Sequence, residues 1–294
     1  GRPRFDAAYL LVDAGRAAFI DAGTNFAVPR LLEALAALGL ARDAVDYVIP
    51  THVHLDHAGG AGLLMRELPG ATLVCHPRGL RHMVDPSQLW AGATAVYGAE
   101  QMARDYGELV PVPAARARAS EDEMRLRVGQ RELRFIDTPG HARHHHCIWD
   151  PASRGWFAGD TFGLSYRELD VDGRAWALPT STPVQFEPEA LKASLTRLLA
   201  AEPQCMYLTH FGPVREVPRL AALLHELTDR MVAIARAAQA ERHERIKREL
   251  LAAYADSLRQ HGCTLPEADL ARLLAVDLEL NAQGLEVWLE KNPK

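Results

Sequence analysis

One short segment of the sequence concentrates side chains that bind metal ions. The run THVHLDH at residues 51–57 follows a predicted strand and brings together three imidazoles and a carboxylate. Histidines two positions apart in an extended stretch point the same way, so His52 and His54 can bind one ion while Asp56 and His57 turn toward a second. A cluster of surface histidines is the alternative. Gly59 and Gly60 follow after one residue, however, and would let the backbone approach the site closely.

Four donors in one loop cannot complete the coordination of two ions, so further ligands are expected at the ends of other strands. Such donors are present, and each follows an apolar run, at the place where open α/β sheets bind ligands. Taken alone each is a weak signal, since an aspartate after a strand is usually a cap or turn residue. These donors are His141 after strand 133–136, Asp160 after strand 156–158 and His210 after strand 205–208.

Alternating strands and helices are predicted to position these residues. A hairpin over 8–20 turns at Asp13-Ala14-Gly15-Arg16, and a helix begins at Pro29 and ends before Gly39. Further strands and helices follow up to about residue 212, which indicates an α/β domain over 1–214 and a helical segment over 215–294. The apolar residues of segment 77–123 follow neither helical nor strand periodicity. We interpret this segment as an insertion that covers a pocket or as an irregular structural loop.

Composition and charge limit the functional classes. The 294 residues carry a net charge of −5, which disfavours nucleic acid as a partner. The arginines near residues 125–134 fall on the polar face of a predicted hairpin. No apolar run approaches the ~20 residues of a membrane span, and residues 1–6 lack a signal-peptide pattern, so a cytoplasmic protein without membrane contact is expected. Four scattered cysteines predict buried reduced thiols rather than disulfides.

The motifs together resemble a known superfamily. The succession THxHxDHxGG, TPGH, GDT and a late TH resembles the metallo-β-lactamase superfamily, and its hydroxyacylglutathione hydrolase (glyoxalase II) branch most. The resemblance spans residues 8–212 in the family's order and spacing. It implies an α/β fold, the αββα sandwich of that superfamily, with residues 1–214 as the catalytic domain and a helical C-terminal extension.

The same resemblance implies a set of metal ligands. His52, His54 and His141 would hold a first ion, and a second ion would have Asp56, His57 and His210. Asp160 would bridge the two. Such a set suits two divalent ions, Zn²⁺ by preference and Fe or Mn²⁺ as alternatives. Asp21 corresponds to the family's aspartate that supports the metal loop, although a turn or N-cap role is an equal interpretation.

The sequence departs from the family pattern after the TPGH motif. Where the family has a second histidine near the bound substrate, this chain has three in succession, His144, His145 and His146. His145 aligns without a gap and is therefore the candidate catalytic residue beside Asp56. A shift of the alignment by one position would assign this role to His144 or His146 instead. Two of the three histidines could also be strand-edge surface residues.

The implied activity is hydrolysis. A hydroxide shared by two metal ions would attack a carbonyl carbon of a small-molecule ester, thioester or lactone, with Asp56 orienting it. Thioesters and lactones are preferred, and phosphodiesters are disfavoured by the charge. The alternatives are an oxidoreductase resembling the mononuclear iron persulfide dioxygenases, against which the complete seven-residue set argues, and a catalytically silent binding protein.

The 77–123 segment and the helical segment are expected to determine substrate choice. Binding pockets often form where such layers meet a sheet edge. A helical segment that serves stability or a homodimer is the open alternative. Five aromatic side chains could line an acyl pocket, although core packing explains each equally well; these are Trp90, Tyr97, Phe162, Tyr166 and Trp176.

Overall fold

The computed structural model describes residues 5–293, and the side chains of Val96 and Tyr97 lie outside that description. The chain forms two compact units. The first contains the described residues up to Asp137 together with His144–Gly159, and the second contains Thr138–Arg143 and the described residues from Asp160 onward. A unit of packing is not an independently folding domain, so the expected division at residue 214 stays a prediction.

A five-stranded sheet opens the first unit. Its first two strands form the predicted hairpin, and the remaining neighbours pair in parallel. The hairpin turn needs two residues with positive φ, which Ala14 (+47°) and Gly15 (+77°) provide. The strands, in their order across the sheet, are β1 (Tyr9–Asp13), β2 (Arg16–Ile20), β3 (Val45–Ile49), β4 (Thr72–Cys75) and β5 (Ala117–Ala119).

Helices of the first unit pack on this sheet through apolar stripes. Leu35, Leu64 and Met83, each from a different helix, lie buried in one core with Phe19 and Val48 of the strands. Residues 77–123 contain three helices and the strand β5, so the irregular-loop interpretation is wrong, and the role of this segment at a pocket stays a prediction. The helices are α1 (Val28–Ala37), α2 (Leu55–Ala58), α3 (Ala61–Glu67), α4 (Pro77–Val84), α5 (Ser87–Tyr97) and α6 (Ala99–Asp105).

The first unit also contains four antiparallel strands in consecutive order. They include the predicted 124–136 hairpin, whose alternation of buried Leu126 and Val128 with exposed Arg125 and Arg127 leaves one face apolar. Tyr9 of β1 contacts Phe157 of this group, with ring centroids 5.4 Å apart. The strands are β6 (Arg125–Val128), β7 (Arg131–Asp137), β8 (His146–Asp150) and β9 (Gly155–Gly159).

The second unit is mainly helical. Its core joins residues 164–191 to the long C-terminal helices, with Trp176 and Tyr254 fully buried in it. Burying a side chain such as Leu250 contributes about 1.5–3 kcal/mol. The elements are α7 (Pro188–Leu199), the antiparallel pair β10 (Cys205–Leu208) and β11 (Pro213–Val214), α8 (Val217–Ala237), α9 (Arg242–His261), α10 (Glu267–Leu273) and α11 (Ala275–Lys291).

Within residues 5–293, no helix combines the length and the apolar character needed to cross a membrane. Cys75, Cys147 and Cys205 are buried as predicted, whereas Cys263 is half-buried, and all four are free thiols.

His243 links two C-terminal helices through both ring nitrogens. Its Nδ1 lies 2.8 Å from Glu286 Oε2, and its Nε2 lies 3.1 Å from Glu279 Oε1. A ring that donates from both nitrogens is protonated. Burial lowers the pKa of His243, but the hydrogen bonds to Glu286 and Glu279 outweigh burial, so its pKa is raised overall. The link between α9 and α11 therefore depends on a proton.

Replacing His243 with glutamine should destabilise the protein in a pH-dependent way. Because the folded pKa exceeds the unfolded value of about 6.5, the stabilisation is complete below that value and is lost as pH rises through the folded pKa. These side chains are partly exposed, so we expect a melting difference of roughly 1–3 °C at acid pH. Thermal melts of both proteins from pH 5.5 to 9 would measure it, and a difference that is constant with pH would contradict the prediction.

Candidate metal centre

The first unit contributes four of the predicted ligands from the loop after β3. The parallel strand β3 ends at Ile49, and the chain then runs through His52 and His54 into the short helix α2. His52 Nε2 and His54 Nδ1 lie 2.7 Å apart, and Asp56 Oδ2 lies 3.6 Å from His57 Nε2. The loop thus assembles two adjacent pairs of donors, as the spacing predicted.

Asp21 supports this loop from the end of β2. Its Oδ1 accepts a hydrogen bond from Thr51 N (2.7 Å), and its Oδ2 accepts one from His57 Nδ1 (2.9 Å). Because a carboxylate accepts from Nδ1–H, it fixes the tautomer in which His57 Nε2 carries the lone pair. Asp21 is buried and adopts a left-handed backbone (φ +58°). These contacts favour the loop-supporting interpretation of Asp21 over a turn or cap.

The second unit contributes the other three predicted ligands. Asp160 Oδ2 lies 3.4 Å from His141 Nε2, and Asp160 Oδ1 lies 3.5 Å from His210 Nε2. All three side chains are buried. Each oxygen of the Asp160 carboxylate thus lies toward a different imidazole.

A backbone carbonyl and a side-chain hydroxyl of the second unit orient His141. Its Nδ1 donates to Thr180 O (3.0 Å), and its own carbonyl accepts from Thr182 Oγ1 (3.1 Å). Since a carbonyl only accepts, His141 carries its proton on Nδ1 and directs the Nε2 lone pair toward Asp160. Gly140 precedes it with φ +131°, a conformation that favours glycine, and a Cβ there would overlap the backbone of Leu191.

His144, His145 and His146 are all buried in the first unit. The ring of His145 has 0% exposure and stacks on His52, with centroids 4.8 Å apart. His144 packs edge-on against His54, at 5.3 Å between centroids. The interpretation of any of them as an exposed strand-edge residue is wrong, and the role of His145 beside a substrate stays a prediction.

His146 supports the start of the metal loop. Its Nε2 donates to Pro50 O (2.9 Å), so its Nδ1 faces Ser120 Oγ (2.7 Å) as an acceptor, and its backbone N donates to Thr51 O (3.0 Å). Burial lowers the pKa of His146 to about 4, so the ring is neutral at physiological pH. A neutral ring keeps this pair of hydrogen bonds intact.

The donor set fits divalent metal ions by its chemistry. Each unit presents buried imidazole nitrogens next to a carboxylate, and in each an imidazole is fixed from behind by an oxygen acceptor, which is the usual support of a metal-bound histidine. Nitrogen and oxygen donors without a thiolate suit Zn²⁺, Fe or Mn²⁺. Such ions would be held by the imidazoles and by Asp56 and Asp160.

The aromatic residues proposed for an acyl pocket are mostly core residues. Phe162, Tyr166 and Trp176 are buried, with the hydroxyl of Tyr166 donating to Asp277 Oδ2 (2.5 Å). Trp90 is half-buried on α5, and the side chain of Tyr97 lies outside the described residues. Thr51, Thr180 and Thr182, which support the ligands, carried no signal of their own in the sequence, because they act through backbone atoms and a hydroxyl group that many loop residues could supply.

Comparison with known proteins identifies the family of this chain. The family model described as the metallo-beta-lactamase superfamily matches residues 1–210. An uncharacterized protein of Aquifex aeolicus is 30% identical over 190 residues, which are 65% of this chain and 75% of that protein.

Solved structures share the fold over nearly the whole chain. The archaeal metallo-beta-lactamase superfamily protein ST1585 from Sulfolobus tokodaii has a TM-score of 0.65 at 21% identity, covering 97% of this chain and 93% of that one. The metallo-beta-lactamase family protein TTHA1429 from Thermus thermophilus has a TM-score of 0.66 at 22% identity, covering 97% and 88%. These likenesses confirm the predicted α/β fold with two sheets, flanking helices and a C-terminal helical extension. With most of its length matched by the family model, the chain belongs to the metallo-beta-lactamase superfamily.

Proposed function

We propose that the chain is a metal-dependent hydrolase that holds two divalent ions. The observation that carries the proposal is Asp160, whose two oxygens face His141 and His210 separately. The match to the family model includes all seven residues of the proposed set. As in the resemblance, one ion would take His52, His54 and His141, the other would take Asp56, His57 and His210, and Asp160 would serve both.

Two such ions, when bound, lower the pKa of a water molecule toward neutrality and polarise a carbonyl group. The chain's own residues provide orientation and proton handling. Asp21 and the Thr180 carbonyl hold His57 and His141 with Nε2 available for ligation. Asp56 has a side chain 31% exposed, whereas that of His57 is fully buried. Asp56 is therefore available to accept a proton from an incoming water molecule and to orient it.

The proposed substrates are small carbonyl compounds, thioesters or lactones by preference. The net charge of −5 gives no attraction to a polyanion, which weighs against nucleic-acid phosphodiesters. Within this class the glyoxalase II-like choice of a thioester remains our proposal, together with zinc as the metal.

The first test is the metal content of the purified protein. We expect close to two ions per chain by elemental analysis, because seven donors fill two coordination spheres only if Asp160 is shared. Hydrolysis of a panel of thioesters, lactones and phosphodiesters should follow the metal content. The His243→Gln variant changes a histidine outside both ligand sets and should keep both ions. A single iron per chain with persulfide-dependent oxygen uptake would contradict the proposal.

A further inference from the structure

The side chain of Asn281 joins α11 to the loop at residues 179–182. Asn281 is 1% exposed. Its Oδ1 accepts from Ser181 N (2.8 Å), and its Nδ2 donates to Pro179 O (3.2 Å) and to Tyr254 Oη (3.1 Å). One amide group therefore binds the loop backbone on both sides of Thr180 and also contacts α9.

This loop in turn binds the proposed metal ligand His141 at two points. Thr180 O accepts a hydrogen bond from His141 Nδ1, and Thr182 Oγ1 donates one to His141 O. Residues 179–182 thus fix both the ring and the backbone of His141. If the Thr180 carbonyl were displaced, the hydrogen bond that holds the proton on His141 Nδ1 would be lost. The tautomer that leaves Nε2 available to a metal ion would then no longer be favoured.

The contact between α11 and the loop leaves no space for adjustment. Ser181 Oγ donates to Leu280 O (3.1 Å). A Cβ on Gly284 would overlap Ser181 Oγ and would lie 2.7 Å from Thr182 O. The helix backbone therefore lies directly on the loop, and a buried amide that loses its partners leaves unsatisfied groups behind. This face of α11 therefore contributes to the position and orientation of the loop.

We infer that Asn281 is a positioning residue for the metal centre, acting through residues 179–182 on His141. The inference rests on the proposed function, in which His141 is a metal ligand. It gives α11 a role in metal affinity, distinct from the substrate selection expected of the helical segment. Outer partners of metal ligands typically change affinity by roughly 10- to 100-fold when they are removed.

The test compares Asn281→Ala with a matched control, Ser257→Ala. Ser257 Oγ accepts from Trp176 Nε1 (3.0 Å), so the control also removes a buried hydrogen bond between a C-terminal helix and the 164–191 segment. Zinc affinity is measured by competition with a chelator, and thermal stability on the metal-free proteins. We expect both variants to lose stability, but only Asn281→Ala to bind zinc more weakly, by roughly 10-fold, the lower end of the range for groups bonded directly to a ligand.

A second readout does not depend on bound metal. Nitrogen-15 spectra of the histidine rings in metal-free protein, with His141 assigned through a His141→Gln variant, report which ring nitrogen carries the proton. We expect the Nδ1–H form in the parent and in Ser257→Ala, and a mixture of tautomers in Asn281→Ala. If Asn281→Ala folds poorly, Thr182→Val removes one contact to His141 and should change the zinc affinity in the same direction.

The outcomes separate the two proposals. An Asn281→Ala protein with unchanged zinc affinity and unchanged His141 ring signals overturns the inference, even if its stability falls. A parent protein that binds no zinc, iron or manganese contradicts the proposed function. In that case the His141 tautomer still decides whether Asn281 positions the ring.

Discussion

Asp160→Asn is expected to lower kcat/KM by at least about 100-fold, because the loss of several kcal/mol of stabilisation corresponds to such a factor. Asparagine keeps the size of the side chain but removes its charge, and it offers only one oxygen where Asp160 presents two to His141 and His210. The metal content should fall from two ions per chain toward one. Elemental analysis and steady-state kinetics on the same preparation would measure both effects.

The fold of this variant should remain intact, since one loop carboxylate contributes little to the hydrophobic cores. Far-UV circular dichroism and the melting temperature should stay close to those of the parent. Asp170→Asn is the matched control, because it changes another aspartate of the second unit, one that is half-buried and pairs with Arg167 at 3.3 Å. Parental turnover of Asp160→Asn with both ions still bound would show that the bridging assignment is wrong.

Asp21→Asn is expected to weaken binding of one ion by roughly 10- to 100-fold while the fold persists. The amide can still accept from Thr51 N, but its NH₂ group would face His57 Nδ1, where the carboxylate now accepts. His57 would then carry its proton on Nε2 and lose the lone pair available to a metal ion. Asparagine also tolerates the left-handed backbone at this position, so the change acts on the hydrogen bond rather than on the turn.

Stepwise zinc titration against a chelator should therefore show that the affinity for one of the two zinc ions falls more than the affinity for the other. Asp21→Ala should reduce the same affinity and also lower the free energy of unfolding by about 1–3 kcal/mol, because Thr51 N loses its buried acceptor. Asp46→Asn, which changes an aspartate of the same unit that pairs with Arg16, should keep both affinities. Equal weakening of both ions, or of neither, would contradict the role of Asp21.

The sequence determined the local elements that carry the proposed ligands, because short-range rules govern them. The turn at Ala14 and Gly15 follows from the backbone preferences of neighbouring residues. His52 and His54 lie on one loop because they are two positions apart, so their proximity needed no knowledge of the tertiary structure. Asp160 was found in the same way, as a polar residue just past an apolar strand.

Only the tertiary structure decided what surrounds those ligands. Asn281 and Thr180 lie far along the chain from His141, and they act through an amide and a backbone carbonyl, groups that many residues of any sequence could supply. The positions of the aromatic residues in the sequence were equally uninformative. Tyr166 and Trp176 lie in a core, and the sequence alone could not distinguish this from a place in a pocket. The packing of whole helices determines which distant residue partners a buried hydrogen-bonding group. Sequence periodicity specifies only which face of a helix is buried, and it does not identify the residues that this face contacts.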